Sequence, residues 1–126
     1  MPAGEGFTPT ERQQIDKAIR DAETICRYEF SVFVGRAEGD PRTFAERLHS
    51  ALVAPDRSVL VMVDPVGRAL EVVTGAEARH ELEDSEVRLA LVDMQSQLMH
   101  DDLVGAIVRG ITTLASHARR PPTLHA

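Results

Sequence analysis

A run of seven residues, Ser58-Val59-Leu60-Val61-Met62-Val63-Asp64, constrains the fold more than any other part of the chain. Its five central side chains are apolar, so a strand here turns apolar groups to both faces of its sheet, and both must be covered. A sheet with one wet face would alternate instead. The next residues supply a neighbour. Asp64-Pro65-Val66-Gly67 reads as a turn, and Arg68 to Thr74 returns with Leu70, Val72 and Thr74 alternating against Ala69, Glu71 and Val73. The two strands form a hairpin that Gly75 ends.

The covering layers are legible as helices. Thr8-Pro9-Thr10-Glu11 carries the marks of a helix start, with Thr8 as N-cap, Pro9 in the first turn and Glu11 closing a capping box. Ile15, Ala18, Ile19, Ala22, Ile25 and Cys26 then recur at helical spacing, as far as Arg27-Tyr28. Phe30 to Val34 is a strand stopped by Gly35. A polar loop leads to Asp40-Pro41, which starts a second helix with Phe44, Ala45, Leu48 and Leu52 on one face.

Beyond the hairpin a short helical turn is expected around Glu77 to Leu82. A third helix, capped by Asp84 or Ser85, buries Val87, Leu91, Met94 and Leu98 and ends near Met99. Asp101-Asp102 caps a fourth, whose stripe is Leu103, Ile107, Ile111, Leu114 and Ala118, with Pro121-Pro122 as its stop. Gly105 and Gly110 each cost that helix about 1 kcal/mol relative to alanine. They are expected where a neighbouring backbone packs close.

The order is α-β-α-β-β-α-α. A right-handed crossover makes the first two strands parallel, and the hairpin adds an antiparallel third. The expected fold class is therefore α/β, a three-layer αβα sandwich around a small mixed sheet of three to four strands. Residues 1–7 read as a flexible lead, 8–120 as a single αβα domain and 121–126 as a C-terminal tail. At 126 residues there is room for one domain and little more.

Charge narrows the partners. A formal net charge of −6 excludes a nucleic-acid surface, which needs clustered cations. The doublet Arg119-Arg120 suits a helix C-terminus. One cysteine, Cys26, makes no internal disulfide and reads as a buried thiol in a reducing compartment. Met1 to Thr10 lacks the basic and apolar segments of a signal peptide, and no stretch approaches a membrane span. A cytoplasmic chain without direct membrane insertion is expected, with an unknown protein partner. No dinucleotide-binding, phosphate-loop, nucleophile-elbow or zinc-protease motif occurs.

Topology says which loops share an end. The first two strands finish beside the Gly35–Asp40 loop and the turn at Asp64, and the third helix returns to the same end at His100-Asp101-Asp102. Ligands in open α/β sheets favour the carboxyl ends of parallel strands. Asp40, Asp64, Asp101 and Asp102, with Glu38, are thus candidates for an acidic rim holding Ca²⁺ or Mg²⁺. The competing assignment is structural: Asp40 and Asp101 or Asp102 have helices to cap, and Asp64 begins a turn. No catalytic residue is indicated.

The run from Arg68 through Thr74-Gly75 and His80 to Asp84 resembles the central signature of the TPM domain: a strand ending in glycine, a short helical segment and an aspartate opening a helix. The flanks, Ser58 to Asp64 and His100-Asp101-Asp102 leading to Gly105, resemble it as well, and the compact form is similar to small uncharacterised actinobacterial members. The resemblance covers residues 8 to 118. It implies an αβα fold with a four-stranded mixed sheet, calcium binding in some members and acid phosphatase activity in a plant member. Two functions follow as expectations. One is a non-catalytic accessory or interaction module that binds a divalent cation; the alternative is a divalent-metal-dependent phosphatase acting on phosphomonoesters.

Overall fold

A computed structural model describes residues 7–119. Helix α1 spans Pro9–Cys26, strand β1 Glu29–Val34, helix α2 Pro41–Ser50, strand β2 Ser58–Asp64, strand β3 Ala69–Thr74, helix α3 Asp84–Leu98 and helix α4 Leu103–His117. Short 3-10 turns at Pro55–Arg57 and Ala78–His80 lead into β2 and out of β3. The α/β class and the element order are as expected.

Among the described residues the sheet has three strands in the order β1-β2-β3. Strand β1 runs parallel to β2, pairing Glu29 with Ser58 through Val34 with Val63. Strand β3 is antiparallel to β2, from Asp64 opposite Ala69 to Val59 opposite Thr74. A fourth strand ahead of α1 would fall largely on residues outside the described stretch. So do the expected lead and tail, apart from Phe7, which packs against the main core.

Every residue of β2 is buried, because the two faces of the sheet have different covers. Val59, Val61 and Val63 point with Phe30, Val34 and Val72 into a large core closed by α1, α3 and α4. Leu60 and Met62 point the other way and join Val73, Ala45, Phe44 and Leu48 beneath α2. Three helices cover one face and one covers the other. His49 is buried on α2, and its Nε2–H donates to the Ser58 carbonyl at 2.9 Å. The outer edge of β3 is closed by guanidinium groups, Arg42 on the Val72 carbonyl and Arg79 on the Thr74 carbonyl, each at 2.8 Å.

Caps set the helix starts. Thr8 and Glu11 form the expected capping box on α1. Helix α3 begins one residue earlier than expected, with Glu83 as N-cap; Glu86 reaches back to the Glu83 N–H at 2.9 Å. The helix glycines answer to side chains rather than to a neighbouring backbone. At Gly110 a Cβ would enter the Met94 side chain on α3, and at Gly105 it would meet the Asp102 carboxylate that caps α4.

Candidate functional site

The turn after β2 is organised by Asp64, which is only 5 % exposed. Its Oδ1 accepts from the Gly67 N–H at 2.7 Å and its Oδ2 from the Ala37 N–H at 3.0 Å. One carboxylate thereby ties the β1–α2 loop to the hairpin turn. Those two donors, Gly67 first, hold its pKa below the usual carboxylate value against the opposing effect of burial, and the nearby Arg36 adds to the lowering. Gly67 is required here because a Cβ would collide with the Asp64 carboxylate.

The left-handed residue of this turn is Arg68, with φ 57°, and not the glycine before it. Across the same end of the sheet, the α3–α4 turn holds Asp101 at φ 56°. Left-handed backbone is uncommon outside glycine, and arginine gains none of the local hydrogen bonding that helps aspartate adopt it. The third left-handed side-chain residue, Arg27, is accounted for as the end of α1, where its N–H donates to the Glu23 carbonyl.

Between these two turns lies a cleft of about 490 Å³. Val63, Leu70, Leu98 and Leu103 give it an apolar lining, and Asp64, Arg68, Gln95 and Asp101 bring polar groups to it. Neither the Arg68 guanidinium nor the Asp101 carboxylate has a side-chain partner among the described residues. Met99 lines the cleft while 85 % exposed, and Val66 on the hairpin turn is 68 % exposed. The volume suits a small ligand or a few side chains of a partner.

The four aspartates singled out as metal ligands do not converge. Asp64 and Asp101 line the cleft. Asp40 is spent on α2, accepting from the Thr43 N–H and hydroxyl at 2.9 Å each, and those bonds lower its pKa. Asp102 caps α4 through the Gly105 N–H at 2.8 Å and borders a separate depression beside Glu11, Lys17 and Asp21. Among the described residues no group of three or more His, Cys, Asp or Glu side chains is placed to hold a metal ion. Capping and turn bonds drew three of them apart, because Asp40, Asp64 and Asp102 each sit over the N–H groups of their own helix or turn. Sequence reasoning missed Arg68, Leu98, Met99 and Leu103 as cleft residues. Asp101 carried a signal, since aspartate is enriched among the uncommon left-handed residues other than glycine; Arg68 carried none.

Fold and cleft together define a three-layer α/β domain with a ligand-sized cleft at the carboxyl end of its sheet. The chain belongs to the family described as Domain of unknown function (DUF5130), whose model matches residues 2–115. This corrects the resemblance to the TPM domain, which the family match does not support. The pattern behind it, strand, glycine, helical turn and acidic cap, has local causes: Gly75 fits against the Pro55 and Asp56 carbonyls, and Glu83 caps α3.

The chain is 26% identical over 102 residues to proteins described as uncharacterized in two Mycobacterium tuberculosis strains, H37Rv and CDC 1551. That stretch is 81% of this chain and 61% of the length of those relatives. Among solved structures, the BA42 protein of the psychrophilic bacterium Bizionia argentinensis superposes with a TM-score of 0.81 at 20% identity, over 91% of this chain and 83% of that one. The N-terminal domain of the cg2496 protein of Corynebacterium glutamicum gives 0.75 at 18% identity, over 90% and 74%. These likenesses show the fold. No helix among the described residues is long and apolar enough to cross a membrane.

Proposed function

We propose that this domain is a non-catalytic interaction module that receives part of a polypeptide partner in the cleft between the β2–β3 and α3–α4 turns. One observation carries the reading. Arg68 occupies a left-handed position that glycine would fill at lower cost, and its guanidinium stands unpaired at an apolar-lined cleft. Backbone strain of this kind persists where the side chain has a task. The buried, unpaired Cys26 accords with work in a reducing, cytoplasmic compartment.

The test separates binding from stability. Random peptides displayed on phage are selected on the purified protein, and the enriched sequences are mapped by amide NMR shifts. Arg68, Asp101 and Leu103 are expected to move. Arg68→Gly is expected to leave stability unchanged or raise it by about 1 kcal/mol, because glycine accepts the left-handed backbone. The same change should weaken peptide binding about fivefold or more. Shifts confined to another surface would sink the reading, as would full binding by Arg68→Gly.

A divalent cation at the cleft is the second reading, supported by Asp64 and Asp101 lining the same space. It rests on two carboxylates, one of them already saturated by N–H donors. A site of about 1 mM affinity would stabilise the fold by roughly 1.4 kcal/mol in 10 mM ion. For a domain of this size that is a rise of several degrees in Tm. With Ca²⁺ or Mg²⁺ at that concentration the expected shift is below about 1 °C. A larger, saturable shift that Asp101→Asn abolishes would favour the cation.

A further inference from the structure

The sheet has two outer edges, and the guanidiniums of Arg42 and Arg79 close that of β3. The edge of β1 is different. Along a strand the N–H groups alternate in direction. Gly35 donates inward, to the Val63 carbonyl, whereas Phe30 donates outward, to the Glu23 carboxylate at 3.0 Å. Val32 and Val34 follow Phe30 at even spacing, so their N–H groups face outward too. Among the described residues no hydrogen bond reaches either of those two donors. The side chains agree with the backbone. Ser31, Val32 and Phe33 are half-buried, and the strand Glu-Phe-Ser-Val-Phe-Val holds no lysine, proline or glycine to discourage pairing. An edge that is apolar, β-prone and unpaired is one that another strand can extend.

Charge selects the occupant. The amino end of β1 is acidic, with Glu23 and the exposed Glu29. Its carboxyl end leads to Arg36, which is exposed and in no ion pair among the described residues. A complementary strand therefore runs antiparallel, acidic at one end and basic at the other. The β1 strand of a second copy meets that description. A two-fold axis at Val32 sets Val32 against its own counterpart and Ser31 against Phe33. Glu29 of each copy then stands opposite Gly35 of the other, next to Arg36. The net charge of −6 opposes self-association, but it is screened beyond about 8 Å at physiological salt, and neighbouring positions across a strand pair lie inside that distance.

Independently of the cleft, we propose that this domain self-associates through β1, two copies joining antiparallel into one continuous sheet. The two Val32 residues exchange N–H and C=O bonds at the axis, and each Val34 N–H reaches the Phe30 carbonyl of the other copy. The Phe30 N–H stays with Glu23.

Sedimentation equilibrium between about 10 µM and 1 mM protein tests this, because an edge contact is small and its dimer weak. A monomer–dimer equilibrium is expected, with the amides of Val32 and Val34 shifting as concentration rises. Val32→Pro removes the N–H at the axis, a change that an outer edge tolerates, and should abolish the dimer. That variant also touches the core, so the charges supply a second reading. Glu29→Arg or Arg36→Glu alone should weaken the dimer about fivefold, and the two together should restore it to within about twofold of wild type. Arg88→Glu, the same charge change on α3 and away from β1, should cost less than about twofold. A protein that stays monomeric at about 1 mM overturns the proposal. So does a dimer whose shifts spare β1, a charge swap that restores nothing, or equal weakening by Arg88→Glu. Slow exchange of the Val32 amide in dilute, monomeric protein would show the edge already covered from within the chain, and would overturn it as well.

Discussion

Replacing Gly75 with alanine lowers the stability of this domain by about 3 kcal/mol, the upper part of the range for overpacking a closed site. The residue looks unremarkable in isolation, a glycine at the end of β3 with no left-handed backbone among its properties. Its importance is a matter of approach. A Cβ there would be driven into the carbonyl oxygens of Pro55 and Asp56, which belong to main chain and cannot rotate aside. Nor is that main chain free to retreat. The Gly75 N–H donates to the Ser58 carbonyl at 2.9 Å, and the Glu77 N–H donates to the Asp56 carbonyl at 2.9 Å. Arg57 pairs with Glu77 at 2.6 Å while standing 5.3 Å from the Tyr28 ring centroid. Movement that relieves the clash therefore breaks bonds at the amino-terminal end of β2. In urea the midpoint is expected to fall by roughly 2 M for a domain of this size, with little change in slope. A fall of less than about 0.5 M would show that the segment yields easily and that the close approach is not structural.

Asp64→Asn is the second large effect, expected at about 2–3 kcal/mol, since hydrogen bonds to a charged acceptor are among the stronger ones. Both carboxylate oxygens accept backbone N–H groups, from Gly67 and Ala37. An asparagine keeps one acceptor and turns an NH₂ group toward the other donor. The loss also has a pH signature. The folded-state pKa of Asp64 lies below the ordinary value near 3.9, so the native protein binds fewer protons there than the unfolded chain. The stabilisation is fully present above the unfolded value and is lost as pH falls through the folded one. Between pH 7 and pH 3 the wild-type domain should therefore lose more stability than Asp64→Asn, measured by urea titration at each pH. Parallel pH profiles for the two proteins would contradict this account of the turn. The substitution is also a poor probe of metal binding or catalysis, because it disturbs the fold of the cleft before it disturbs any chemistry.

Local chemistry was readable from the residues wherever it repeats or caps. The capping box of Thr8 and Glu11, the Asp40 and Asp102 caps and the fully apolar β2 are short-range facts, and each stands in the structure as expected. The parallel pairing of β1 with β2 followed from the helix that connects them, since a crossover of that kind returns the chain parallel. The N-cap of α3 was misplaced by a residue because Glu83, Asp84 and Ser85 compete for one role in sequence, and only backbone geometry chooses among them.

The acidic rim shows where such reading ends. Topology brings the four aspartates to one end of the sheet, but the carboxylates of Asp40, Asp64 and Asp102 turn to their own nearest N–H donors, so nearness of loops did not become convergence of side chains. The resemblance drawn from Arg68 to Asp84 had the same weakness. It captured a strand, a glycine and a helix start that packing alone demands, and the family match lies elsewhere.

The double-faced strand from Ser58 to Asp64 was enough by itself to require a sheet covered on both sides, because burial of five consecutive apolar side chains admits few other solutions. It said nothing about the cleft. That space is lined from facing loops on which Arg68 and Asp101, 33 positions apart in sequence, both turn left-handed, and Leu70, Leu98 and Leu103 line it with them. Aspartate at position 101 hints at a left-handed residue, but the backbone conformation at Arg68 is set by what surrounds it in three dimensions, and no periodicity or cap in the chain encodes it.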